Sequence, residues 1–375
     1  MAVAKYKKNK HGRYEAKIWD GTYNPDGTKH RKYISSTKSS ADLERKVEEF
    51  KRKRDKQEVT TPSTMSIYEY AQYWLSIAKV TRAENTQEMY ERTIRKLEFL
   101  DDTRIADVQH YHFQQAINNH LEHPRTCEQI YITFKQIVRY ASIEHIITKS
   151  AYEDVITDIS LPDYRKKPKR PLTLIEKEAI KTVSDLSPMK DCLIGVLYYL
   201  GVRRGEALAL TPADFNWDNK TVSISKVIVF IKNKPKEKPY PKTDNGLREI
   251  PLPEAFISRY RNFIESSGES YIFHGQTASI ITYDAFRRMW ESIITSLNKS
   301  MGYNPYKKDR GEPPIVGLTP HIFRHNYCTE LCYQVPMIST KKIAKLMGDT
   351  EKMVLDVYSH IIEEKEDITG VLDVF

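Results

Sequence analysis

Two arginines, a lysine, two histidines and a late tyrosine follow one another along the second half of this 375-residue chain. Arg203 and Glu206 stand in Gly201-Val202-Arg203-Arg204-Gly205-Glu206, and Lys242 opens the return of a basic hairpin. Arg324 stands in His321-Ile322-Phe323-Arg324-His325, and Tyr358 lies near the end of residues 346–360. This set suits metal-free cleavage of a phosphodiester. Attack on phosphorus builds negative charge on the non-bridging oxygens. A guanidinium is always charged and grips two such oxygens at once, so Arg203 and Arg324 from separate segments form a two-sided clamp. Each preorganised donor of this kind typically lowers the barrier by about 3–4 kcal/mol. Lys242 is placed to protonate the leaving 5′ oxygen. A tyrosine with an ordinary pKa near 10 needs cations beside it to serve as a phenolate, and Tyr358 is the candidate nucleophile. The product would be a covalent 3′-phosphotyrosine, which keeps the bond energy, so rejoining needs no ATP. The sequence shows neither a glycine-rich phosphate loop nor a dense carboxylate cluster, and no nucleotide, metal or other cofactor is expected.

The elements that must carry these residues can be read in order. Residues 12–20 alternate, with Tyr14, Ala16 and Ile18 on one side, and Asn24-Pro25-Asp26-Gly27 turns the chain into a returning strand over 29–35. Ser39 opens a helix with Asp42 as its capping-box partner, and Leu43, Val47 and Phe50 share its inner face. Residues 66–160 read as helices. Their clearest stripe is Ile130, Phe134, Ile137, Val138 and Ala141, with Arg92, Arg95, Lys96, Lys135 and Arg139 on opposite faces. Residues 161–171 hold three prolines and five basic residues, a stiff positive tether. Thr173 starts another helix, boxed by Glu176. Helical segments run to about residue 210, and a β-branched run covers 221–230. A proline-broken basic loop over 232–241 then leads to a strand at Arg248-Glu249-Ile250-Pro251-Leu252. Residues 253–300 read mainly as helix, 303–317 as a loop, and helices resume at Pro320.

Three domains follow: 1–60, 66–160 and 170–375. The expected class is multidomain α+β, with a small N-terminal sheet plus helix, a helical middle domain, and a mainly α C-terminal domain holding a small antiparallel sheet. The net charge of +9 is unevenly placed: residues 1–60 hold 17 Lys/Arg against 9 Asp/Glu, and the remainder is nearly neutral. A basic module joined to a balanced one points to a polyanion partner, and a β-ribbon fits the major groove of double-stranded DNA. The longest apolar run, 192–202, is too short to span a bilayer, and the N-terminus turns basic before any signal-like segment. The expectation is a cytoplasmic protein without a membrane partner. Four scattered cysteines argue against a disulfide framework, and Cys328 and Cys332 read as buried thiols.

Residues 201–210 resemble the first arginine box of the tyrosine recombinases, the integrases of phages and conjugative transposons. His321-Ile322-Phe323-Arg324-His325 resembles their His-x-x-Arg box, Pro241-Lys242-Thr243 with Ile250-Pro251-Leu252 their lysine hairpin, and Met347-Gly348 followed by Tyr358 their final box. The resemblance implies the following roles. Arg203 and Arg324 bind the scissile phosphate, Lys242 is the general acid, His321 assists proton transfer, Tyr358 is the nucleophile, and Glu206 supports the site. It also implies a three-stranded N-terminal sheet that binds arm sites and a helical domain that binds core sites. Further implications are a homotetramer on DNA, accessory bending or excision proteins, and a tail at 368–375 that docks on a neighbouring protomer. One position departs from the pattern. Nine residues before Tyr358, where the family has His or Trp, stands Asp349. A carboxylate there repels phosphate unless it turns away or meets a cation, and its expected partners are Lys242, His325 or a backbone amide. Two other readings stay open at this point: a non-catalytic DNA-binding regulator marked by Asp349, and a type IB topoisomerase.

Overall fold

The computed structural model describes residues 5–23, 28–55, 63–163, 170–239, 246–268, 270–275, 280–304, 307 and 311–365. They divide into two compact units, Met1–Lys166 and Lys167–Phe375. The expected turn at 24–27, most of the tether, Lys242 with Thr243, and the tail at 368–375 lie outside the described residues.

The first unit opens with an antiparallel ribbon, β1 (Tyr14–Tyr23) and β2 (Lys29–Ser36), in a register that sets Ala16 opposite Ile34. The alternating side chains Tyr14, Ala16 and Ile18 close on Leu43 and Val47 of α1 (Ser40–Asp55) to form a small core. Ser39 Oγ accepts the Asp42 amide at 3.0 Å, as expected of a cap, but the Asp42 carboxylate does not complete the box. It accepts a 2.6 Å hydrogen bond from the Ser36 hydroxyl and ties the helix to β2. Among the described residues the sheet has two strands rather than three. The segment before it adds a single bridge, Lys8 to Tyr14, because Asn9 Oδ1 accepts the amides of His11 and Arg13 and closes a tight turn there.

The same unit continues with five helices: α2 (Ile67–Ala78), α3 (Glu84–Arg95), α4 (His110–Asn118), α5 (Pro124–Ile143) and α6 (Lys149–Ile156). Ser66 and Glu69 form a reciprocal capping box that starts α2, and Pro124 occupies the first turn of α5, where its missing N–H costs nothing. The expected α5 stripe is fully buried and packs on Ile67, Tyr70 and Trp74 in one core. The Tyr70 and Tyr73 hydroxyls both donate to Glu144 just past the end of α5, which locks α2 to it.

The second unit begins with α7 (Leu174–Thr182), boxed by Thr173 and Glu176 as expected. Arg170 grips the buried Glu176 carboxylate with both terminal nitrogens, and the Leu172 amide donates to Asn326, so the entry into this unit is pinned to a distant helix. Then come α8 (Pro188–Leu200) and α9 (Arg204–Ala209), followed by β3 (Phe215–Asn216), β4 (Thr221–Ile224), β5 (Lys226–Ile231), β6 (Lys234–Pro239) and β7 (Arg248–Pro251). Strands β3, β4 and β7 form one antiparallel sheet and β5 with β6 a second. The expected loop at 232–241 is therefore largely a strand. Lys232 and Asn233, both with positive φ, make the two-residue turn, and Pro235 and Pro239 sit on an edge strand that needs no further donor. The unit ends with α10 (Glu254–Ser266), α11 (Tyr283–Ser300), α12 (Pro320–Cys332), α13 (Thr340–Met347) and α14 (Glu351–Lys365). Its main core gathers α8, α9, β4, α10, α11 and Phe323 of α12, while α12, α13 and α14 close a smaller one around Cys328, Cys332, Ile343 and Val354. All four cysteines are buried and unpaired. Among the described residues no helix is long and apolar enough to cross a membrane.

Candidate active site

Arg203 owes its place to the break between α8 and α9. Gly201 ends α8 with φ of +58°, a left-handed conformation that L side chains rarely adopt, and a Cβ there would stand 2.2 Å from the Tyr327 ring. Arg203 is the residue that caps α9, with its amide donating to Glu206 Oε2 at 2.8 Å. Gly205 lets α9 lie against β5: a Cβ there would come within 2.4 Å of the Ile228 carbonyl oxygen. Arg324 sits one turn into α12, with its guanidinium almost wholly buried. Its Nη1 donates to Gly201 O, and its Nη2 to Met347 O and to Asp349.

The two guanidinium groups meet at one atom. Arg203 Nη2 and Arg324 Nη2 each lie 3.1 Å from Asp349 Oδ2. Arg203 Nη2 also donates to Gly348 O at 2.9 Å, and Arg203 Nη1 to Glu206 Oε1 at 3.0 Å. Asp349 Oδ1 accepts the Thr350 amide at the start of α14. The expected partners of Asp349 were Lys242, His325 or a backbone amide. The amide is present, but the cations are Arg203 and Arg324, brought together by α9 and α12 over 146 and 25 residues of chain.

Arg248 was not among the expected site residues, yet it underlies the whole arrangement. It is buried, its Nη2 donates to Glu206 Oε2 at 2.7 Å and its Nη1 to Glu206 Oε1 at 3.2 Å, and its Nε reaches Leu346 O at 2.8 Å. The signal was present in the sequence: alternation in β7 puts Arg248 on the inward face with Ile250, and an inward arginine requires a carboxylate. Arg204, likewise unexpected, packs against the rings of Phe230, Tyr283 and Phe286 at 5.3–5.6 Å and fastens α9 to β5 and α11.

Three guanidiniums and two carboxylates thus share a small volume, with one positive charge in excess. Burial opposes ionisation of Glu206. The Arg248 hydrogen bonds and charge, the Arg203 amide and the Arg324 charge outweigh it and hold the carboxyl down at about 2. Burial also opposes ionisation of Asp349, and the Arg324 hydrogen bond, the Thr350 amide and both arginine charges overcome it, so this carboxyl stays below its ordinary range. Burial, with the Arg203 charge beside it, lowers the basicity of Arg324. A cationic pair held in this way has the geometry to bind an oxyanion.

The other expected residues are placed as follows. His321 is exposed in the first turn of α12, one turn from Arg324. His325 is half-buried in the same helix. Tyr358 is half-buried in α14, packed on the cluster that holds Cys328 and Cys332 of α12, and its hydroxyl makes no hydrogen bond among the described residues. Among those residues no group of three His, Cys, Asp or Glu side chains is arranged to hold a metal.

Comparison with known proteins bears on this geometry. A family model described as the phage integrase family matches residues 174–365, just over half of the chain. The chain is 25% identical over 226 residues to a XerC-like tyrosine recombinase of Caldanaerobacter subterraneus subsp. tengcongensis, spanning 53% of this chain and 55% of the relative. It is 25% identical over 179 residues to the transposase from transposon Tn916 of Enterococcus faecalis, spanning 44% of this chain and 40% of the relative. The chain thus spans about half the length of the curated relatives it matches. The integrase of transposon Tn1549, solved in complex with a circular intermediate DNA, shares the fold with a TM-score of 0.64 at 20% identity, covering 79% of this chain and 95% of that one. A lambda integrase dimer bound to a COC′ core site shares it with a TM-score of 0.56 at 13% identity, covering 94% of each chain. The arginine boxes, the buried Glu206 and the final tyrosine all fall inside the matched region, and the chain belongs to the phage integrase family.

Proposed function

We propose that this protein is a site-specific DNA recombinase of the integrase type, which breaks and rejoins double-stranded DNA to integrate or excise a mobile element. The observation that carries the reading is the convergence of Arg203 and Arg324 on a single anionic oxygen, each at 3.1 Å. In the reaction that oxygen belongs to the scissile phosphate. The Tyr358 phenol attacks phosphorus, Arg203 and Arg324 neutralise the charge that builds on the non-bridging oxygens, and His321 assists removal of the phenol proton. Lys242 protonates the departing 5′ oxygen, leaving a 3′-phosphotyrosine and a free 5′ hydroxyl. Attack by a 5′ hydroxyl on that linkage reverses the step and reseals the strand without ATP. Glu206 and Arg248 hold the pair in place, and no metal or cofactor takes part.

DNA is the partner. The helical segment over 66–160 contacts the core site. The ribbon and α1 contact arm sites through the exposed Lys17, Arg31 and Tyr33 of the outer sheet face. The lambda integrase has been solved as a tetramer bound to a Holliday junction, which supports a homotetramer on DNA here; bending or excision proteins are the accessory partners of this reading. The test is incubation with a nicked duplex carrying the attachment core, so that the short leaving strand diffuses away. The expected result is a covalent adduct that digestion maps to Tyr358 and that Tyr358→Phe abolishes. A regulator forms no adduct, and a topoisomerase forms one on any sequence.

A further inference from the structure

We propose that Asp349 is a built-in placeholder for the scissile phosphate, a carboxylate that occupies the arginine pair in the absence of DNA and must be expelled before the phosphate can bind. The inference rests on the recombinase reading above and concerns a position where the family pattern has His or Trp. Arg324 carries the argument. Its side chain is only 3% exposed, so it can meet DNA at one edge alone. Its Nη1 is committed to Gly201 O, one Nη2 hydrogen to Met347 O and the other to Asp349 Oδ2. Among the described residues the carboxylate is the only side-chain oxygen that accepts from Arg324, its other two acceptors being backbone carbonyl oxygens. Arg203 is 36% exposed and aims its own Nη2 at the same oxygen. A carboxylate and a phosphate present similar acceptor oxygens to such donors, and one site cannot hold both anions. Asp349 is itself 30% exposed and lies between Gly348 and Thr350, in the short link joining α13 to α14. Rotation of its side chain carries the carboxylate into water without moving either helix.

The device has two consequences. It places one negative charge between two neighbouring guanidiniums while no DNA is bound and so reduces their mutual repulsion, which stabilises the free protein. It also sets a threshold for entry of the phosphate, since a loosely held duplex does not displace a carboxylate already paired with both arginines, whereas one fixed by its core contacts does. Binding of wrong sequences is thereby penalised by a competitor that the chain carries itself.

The experiment compares wild type and Asp349→Asn, which keeps the shape and removes the charge, in single-turnover adduct formation on the nicked core duplex. The expected result is an about fivefold lower half-saturating DNA concentration for the variant, a relative gain in adduct on scrambled duplex, and a Tm lower by about 3 °C without DNA. A core duplex whose scissile linkage is a neutral methylphosphonate supplies the second measurement: it leaves no second anion to displace the carboxylate, so the difference between the two proteins collapses. Adduct from both proteins at equal half-saturation on the ordinary phosphate duplex overturns the inference and leaves the recombinase reading intact. A variant limiting rate tenfold lower makes the carboxylate part of the reacting arrangement and also overturns it. A lower Tm with no gain on DNA reduces Asp349 to a structural brace. Absence of adduct from both proteins removes the recombinase reading and the inference together.

Discussion

The ribbon domain and the arginine site are both rich in positive charge, and they use it in opposite ways. On the ribbon, cations are numerous, exposed and loosely engaged. Lys17 lies over the exposed Tyr33 ring at 4.8 Å, Lys29 over Trp19 at 4.8 Å, and Lys5 reaches across to Glu44. In the second unit three guanidiniums are fixed by two carboxylates and by the carbonyl oxygens of Gly201, Leu346, Met347 and Gly348. The first arrangement supplies a diffuse, salt-screened attraction that depends on charge count. The second supplies a preorganised clamp that depends on position, so one substitution there should outweigh many on the ribbon.

Graded substitutions test that contrast. The largest effect is expected for Arg324→Ala, which removes the buried half of the clamp and should slow adduct formation by about 10²–10³-fold, read in single-turnover assays. Glu206→Gln should come next. It strands Arg248 without its carboxylate and should cost about 3–5 kcal/mol, seen as a Tm fall of roughly 10 °C. The same pair has a pH signature. Glu206 has its folded pKa depressed from 4.5 to about 2, so its stabilisation is complete above 4.5 and is lost as the pH falls toward 2. An acid titration of wild type and Glu206→Gln should therefore converge at the low end of that window. Arg204→Ala, which empties the ring cage between α9, β5 and α11, should destabilise by about 1–2 kcal/mol, measured by denaturant unfolding. The smallest effect belongs to the ribbon. Lys17→Ala should weaken DNA binding by similar amounts across arm sequences and lower the salt slope by about 1, measured by titration at several salt concentrations.

What could be read in the sequence divides along the same line. The α5 stripe, the Thr173 cap and the clustering of Arg203 with Arg324 were legible, because periodicity, capping and residue chemistry are local or type-specific signals. Strand β6 was hidden by its two prolines and its exposed faces, which erase the alternation that marks a half-buried strand. The inward-facing Arg248 was readable from the alternation of β7, but its carboxylate partner was not, because Glu206 lies 42 residues away and nothing local ties the two. The cationic partners of Asp349 were missed for the same reason: Lys242 or His325 was expected, and the guanidiniums found are those of Arg203 and Arg324, 146 and 25 residues away in the chain, while the expected backbone amide is present.

The proposed role of Arg203 and Arg324 is to neutralise one phosphate. It is tested most directly by measuring Arg324→Ala and Arg203→Ala adduct formation on a core duplex with an ordinary scissile phosphate and on one with a neutral methylphosphonate. If the arginines serve that charge, the penalty of about 10²–10³-fold on phosphate shrinks to less than about tenfold on the neutral linkage. An equal penalty on both linkages would mean that the two arginines do not act on the phosphate charge.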